Sequence, residues 1–154
     1  MLTATLALSG CGGSSFADSV PALAQDQTPT DQVRTGVDGT GVDGTGVDGI
    51  AADSTRYLGG TQVAEYWVGL DGERICLVQS LRATQVLGSS CTDAEEFQRS
   101  GLAVTTTSGA TSATGLLVPE GLDPADAAGD EEWVAVSDNL FAPAGEGEPT
   151  APPG

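Results

Sequence analysis

Apolar side chains dense enough to exclude water occur in only one stretch of this chain, from Asp53 to Ala142, and that limits what can fold. The block holds six of the seven aromatic residues. From Gly12 to Ala52 the sequence is Gly, Ser, Thr, Asp, Gln and Pro with scattered Val, too little apolar surface to offset the entropy of ordering the backbone. That stretch reads as a flexible stalk. Within it, Thr35-Gly36-Val37-Asp38-Gly39 is repeated twice more, through Gly44 and Gly49. One Asp per five residues supplies too few oxygens for the 6 to 8 that Ca²⁺ takes, so the repeat reads as a low-complexity spacer. Pro143 to Gly154 reads as a disordered tail. Trimming both ends is expected to leave the melting temperature unchanged.

The start of the chain carries a second signal. Behind the apolar run Met1 to Leu8 stands Leu8-Ser9-Gly10-Cys11, with two small residues ahead of the cysteine. Small side chains there let the chain enter a peptidase cleft in extended form, and the thiol can then carry a diacylglyceryl thioether. This pattern resembles the lipobox of bacterial lipoproteins, which implies cleavage before Cys11, lipidation of Cys11 and residence on the outer face of the cell membrane. Residues 1–10 are then the remnant of a signal peptide. No Lys or Arg precedes the apolar run, so the translation start is expected upstream, where a basic n-region would lie. Nothing else in the chain approaches the roughly 20 apolar residues of a membrane span. The anchor is therefore expected to be covalent lipid.

Charge agrees with an exported chain that avoids polyanions. Acidic residues number 22 against five arginines, with neither Lys nor His, for a net charge of -17. Phosphate backbones and anionic head groups repel such a surface, which argues against nucleic acid as a partner. Arg99 is the last basic residue, and every charge after it is negative.

Within the block the pattern predicts a small α+β domain: one mostly antiparallel β-sheet, one short helix and one disulfide. Val63 to Leu70 and Arg74 to Val78 carry β-formers on either side of Asp71-Gly72, the pair a tight hairpin turn prefers. Cys76 shares a face with Arg74 and Val78 while Ile75 and Leu77 face the other way, so both faces are expected to be covered. Thr84 to Leu87 reads as a further strand. After Cys91 comes a helix, with Thr92 as cap, Glu95 completing a capping box, Gly101 at its end and Phe97 as its anchor in the core. Leu102 to Thr107 and Gly115 to Val118 read as a hairpin, Trp133 to Val136 as the last strand. With Cys11 assigned to lipid, Cys76 and Cys91 form an even remainder in an exported chain, which reads as one disulfide. A loop of about 15 residues closed in this way contributes roughly 3 kcal/mol in the chain-entropy model.

Chemistry is sparsely represented. Without His the usual general base and metal ligand are missing, and without Lys the Ser-Lys alternatives go too. Carboxylates remain. Glu65, Asp71 and Glu73 surround the first hairpin and could supply a glycosidase-type pair. Asp93, Glu95 and Glu96 sit where acids offset a helix dipole. Asp123, Asp126, Asp130, Glu131 and Glu132 could bind Ca²⁺, although their spacing departs from an EF-hand loop. Tyr57, Tyr66 and Trp67 form a candidate partner face, with core packing as the competing role. No catalytic residue, metal site or cofactor is assigned.

The order of Tyr66-Trp67-Val68-Gly69, Ile75-Cys76-Leu77-Val78, Ser90-Cys91 with Phe97, Gly115 to Gly121, and Val134 to Phe141 resembles a family of uncharacterised actinobacterial exported proteins. The resemblance implies a Cys-paired α+β domain and transfers no functional residue. Two kinds of function follow: a non-enzymatic surface lipoprotein that binds a protein or cell-envelope partner, or an enzyme or Ca-dependent binder working through carboxylates.

Overall fold

A computed structural model of the chain describes residues 16–33 and 49–150. The segment read as a lipobox, with Cys11, most of the pentapeptide repeat and the last four residues lie outside them. The described residues form an α+β structure that is mostly antiparallel β. The β material is divided between two sheets. Sheet A has the order β4-β3-β2-β1-β9, from β1 (Arg56–Thr61), β2 (Ala64–Asp71), β3 (Arg74–Leu81), β4 (Leu87–Thr92) and the two-residue β9 (Pro149–Thr150). Sheet B has the order β5-β6-β8-β7, from β5 (Leu102–Ser108), β6 (Thr111–Leu117), β7 (Trp133–Ala135) and β8 (Leu140–Pro143). Three short helices accompany them: α1 (Phe16–Ser19), α2 (Ala94–Ser100) and α3 (Pro124–Ala128).

The β2–β3 hairpin follows from local signals. The turn differs by one residue from the expected Asp71-Gly72 pair: Asp71 is still in β2, paired with Arg74, so the two turn residues are Gly72 and Glu73. Only Gly72, at φ +60°, is left-handed, the position where a type II′ hairpin turn takes Gly. Strand alternation then sorts the side chains. Tyr66, Val68, Ile75 and Leu77 face sheet B and join Phe97, Leu102, Val104, Leu117 and Leu140 in the main core. Trp67, Cys76 and Val78 face the opposite way and form a second cluster with Ile50, against which Val33 and Tyr57 pack. Both faces of β3 are thus covered.

Close approach of the two sheets needs glycine at two places. A Cβ on Gly115 would lie 2.3 Å from the Tyr66 ring, and one on Gly88 would lie 2.0 Å from the Thr106 hydroxyl oxygen. The disulfide joins Cys76 and Cys91, directly opposed residues of β3 and β4 with Cα atoms 4.1 Å apart.

Several boundaries differ from the sequence expectation. The strand expected at Thr84 to Leu87 begins only at Leu87 and runs to Thr92, because the chain first turns back through Gln85 at φ 55°. The cap of α2 is Asp93, whose carboxylate accepts from the Glu96 N–H at 2.9 Å; Thr92 is still in β4. The loop between β5 and β6 shrinks to Gly109-Ala110, since the alternating Thr residues extend both strands.

The ends are corrected most. Residues 16–33 and 49–52, assigned from sequence to the stalk, are docked on the domain. Val20 and Ile50 are buried, and Phe16, Ala22, Leu23 and Val33 pack against the two clusters. Pro143 to Thr150, assigned to a tail, is docked as well. Thr150 and Pro149 pair with Gly60 and Thr61, and the Glu146 carboxylate accepts from the Thr114 N–H at 2.7 and 2.9 Å.

Candidate functional site

A groove of about 240 Å³ lies where residues 16–33, which form a strap across the domain, meet sheet B, lined among others by Pro21, Pro119, Glu120, Leu122, Asp138 and Phe141. Its floor is backbone held by one side chain. Asn139, buried, donates its Nδ2–H groups to the carbonyls of Val118 (3.0 Å) and Ser19 (3.2 Å), while its main-chain carbonyl accepts from the Val118 N–H. The Ser19 carbonyl also accepts from the Glu120 N–H at 2.9 Å. Pro21 then enters the wall as the first residue of a 3₁₀ turn, a place where its missing N–H costs nothing. Glu120 and Asp138 are exposed and give the groove a negative rim beside the apolar surfaces of Leu122 and Phe141.

The strap is fastened at its other end by Asp31. In Thr28-Pro29-Thr30-Asp31 the carboxylate closes a capping box, accepting from the Thr28 N–H (2.6 Å) and hydroxyl (2.7 Å). Its second oxygen accepts from the Tyr57 N–H of β1 at 2.7 Å. The Thr30 carbonyl accepts from the Trp67 Nε1–H at 3.3 Å, and the Gln25 carbonyl from the Arg56 guanidinium at 2.8 Å.

Burial pushes the Asp31 carboxyl up, but the Thr28 and Tyr57 N–H groups, the Thr28 hydroxyl and the charge of Arg56 together hold it below its ordinary value of 3.8. A depressed folded-state pKa means that this stabilisation is complete above pH 3.8 and is lost as pH falls through the folded value. Asp31→Asn is therefore expected to cost about 1–3 kcal/mol at neutral pH, since an amide NH₂ then faces a donor. Urea unfolding across a pH series checks this: the gap from wild type should narrow below pH 3.8. A gap independent of pH would contradict it.

The candidate partner face is corrected by burial. Tyr66 and Trp67 are 0% and 1% exposed, and Tyr57 is half-buried with its ring edge-on to Trp67, centroids 5.5 Å apart. Adjacent residues on a strand point to opposite faces, so Tyr66 and Trp67 fill different clusters and share no surface. The Tyr66 hydroxyl instead belongs to a buried polar chain: it accepts from Gln79 Nε2 and donates to the Thr114 carbonyl, each at 3.0 Å. Burial raises the phenol well above its ordinary pKa, with the Gln79 bond opposing and the Glu146 charge adding to the rise.

Six of the carboxylates named from the sequence are engaged by groups close to them. Glu65 pairs with Arg82 at 3.3 Å, and Asp71 with Arg74 at the far end of β2. Glu95 and Glu96 bind Arg99 at 3.1 and 3.0 Å. Asp93 caps α2, and Asp123 caps α3 through the Ala125 N–H. Among the described residues no three Cys, Asp or Glu side chains are grouped to hold a metal ion, and no helix is long and apolar enough to cross a membrane.

No protein-family model matches the chain, and no curated protein or solved structure matches it either. The residues that build the groove and fasten the strap, Ser19, Pro21, Asp31 and Asn139, are polar or isolated positions outside any dense apolar run. Asp31 did have a local signal: Thr-Pro-x-Asp is capping-box spacing with Pro at the first helical position.

Proposed function

We propose that this chain is an exported lipoprotein, anchored through Cys11 at the outer face of the cell membrane, whose domain is a non-enzymatic module binding a protein or cell-envelope partner. The observation that carries the reading is the Cys76–Cys91 bond, because such bonds persist in oxidising compartments outside the cytoplasm. The lipobox Leu8-Ser9-Gly10-Cys11 supplies the means of attachment. The groove supports binding: it offers apolar surface from Leu122 and Phe141 beside two carboxylates, in a chain of net charge -17. A partner presenting cationic groups suits that rim. The separation of Glu65 from Asp71 and the capping roles of Asp93 and Asp123 favour this reading over a carboxylate-based enzyme or Ca-dependent binder.

Labelling with an alkyne fatty acid, using the gene with its upstream start, should mark the wild type and not Cys11→Ser; equal labelling of both would sink the anchor. Crosslinking on intact cells should trap an envelope component that is lost in the double variant Glu120→Lys, Asp138→Lys. The same adduct from both proteins would remove the groove from the proposal.

A further inference from the structure

The docking of residues 16–33 changes what the stretch after Cys11 can do. Were the whole stalk free, the first domain residue near Gly49 would lie about 35 Å from the lipid on average, the dimension of a flexible coil of roughly 40 residues. Instead the chain is fixed to the domain from Phe16 to Val33. The Phe16 ring packs edge-on to Phe97 with centroids 6.1 Å apart, and Val20 is fully buried in the main core. Ser19 is tied to Glu120 and Asn139, and Asp31 to Tyr57. Only four residues separate Cys11 from Phe16, and five Cα steps reach about 18 Å at full extension.

We propose that the strap converts a long stalk into a short leash, so that the face of the domain around Phe16 rides against the bilayer that holds the lipid. The proposal rests on lipidation of Cys11. It makes residues 34–48 a closed loop between two attached segments rather than a spacer, so their length no longer sets the height of the domain. The face so presented carries exposed Asp18 and Glu120, which oppose anionic head groups and keep it at the surface instead of embedded. Glu120 and Pro21 also belong to the groove, so the groove opens near the bilayer, and a ligand displayed at membrane level is the one it meets.

The test uses the lipidated full-length protein in phosphatidylcholine vesicles with an acceptor dye on the head groups and a donor at position 95, an exposed site on α2. A Gly/Ser insertion of about 20 residues is placed either between Gly13 and Ser14 or between Thr40 and Gly41. The first should lower energy transfer to less than about half, because it lengthens the leash. The second should leave transfer at the wild-type level, because the strap bypasses it. Equal losses from both insertions, or no loss from the first, would overturn the proposal. Vesicle flotation of wild type and Cys11→Ser reads the anchor separately. Failure of the wild type to float removes the anchor and the leash together, whereas flotation with equal insertion effects removes the leash alone.

Discussion

A protein cut to residues 49–150 should melt far below one that retains the N-terminal strap, opposite to what the sparse apolar content of residues 12–52 predicts. Val33 and the Thr30 carbonyl cover Trp67 from one side, while Phe16 and Val20 close over Phe97 in the main core. Trp67 and Phe97 are 1% and 0% exposed with the strap in place. Partial exposure of two large side chains, at about 1.5–3 kcal/mol for each one fully exposed, puts the loss near 3 kcal/mol. For a domain of this size that is roughly 12–24 °C in melting temperature. Thermal unfolding of the two lengths by circular dichroism measures it, and coincident curves would show that the strap lies on the domain without supporting it.

Phe97→Ala is expected to be as damaging from a single site. Helix α2 has seven residues, too short to persist in water alone. Its own resources are the Asp93 cap, the Glu–Arg99 pairs and the Gly101 N–H returned to the Phe97 carbonyl, with Gly101 at φ +64°. Phe97 is the only buried residue among its seven and joins it to both sheets and to Phe16. Removing the ring from a site that is fully enclosed typically costs about 3–5 kcal/mol, a large part of the stability of a small domain. Exposed Glu95→Ala on the same helix should stay within about 0.5 kcal/mol. Denaturant midpoints of the three proteins separate the cases, and a Phe97→Ala midpoint near that of Glu95→Ala would refute the anchoring role.

What the sequence discloses depends on how local the cause is. The β2–β3 hairpin is legible because Gly72 and the runs of β-formers on either side of it act locally, although the turn takes Gly72-Glu73 and not the expected Asp71-Gly72. The Cys76–Cys91 pairing is legible from cysteine number read with the expectation that the chain is exported. The strap is not, because a segment laid over an existing core needs few apolar contacts. Phe16, Val20, Leu23 and Val33 suffice when the surface they meet is already built, and spread through Ala, Gln, Asp and Thr they look like filler. Tyr66 and Trp67 mislead for a related reason. Side by side in the sequence they suggest a shared patch, yet the pleat sends one to each cluster. The groove is farther still from local causes, since Asn139 acquires its role only when Val118 and Ser19 arrive beside it from distant parts of the chain.

Strand β4 lies at the edge of sheet A, and its residues, Leu-Gly-Ser-Ser-Cys-Thr, are half-buried or exposed without the in-and-out rhythm that fixes alignment. A strand so composed could slide by two residues against β3 and lose little. The bond between the opposed Cys76 and Cys91 acts there as a bolt through the ladder, admitting one alignment and discarding the others. With it in place Gly88 stays over the Thr106 hydroxyl, where no larger residue fits. The outer side of β4 is an open sheet edge whether the bond is closed or not, so what the cysteines fix is the alignment that this edge presents to its surroundings.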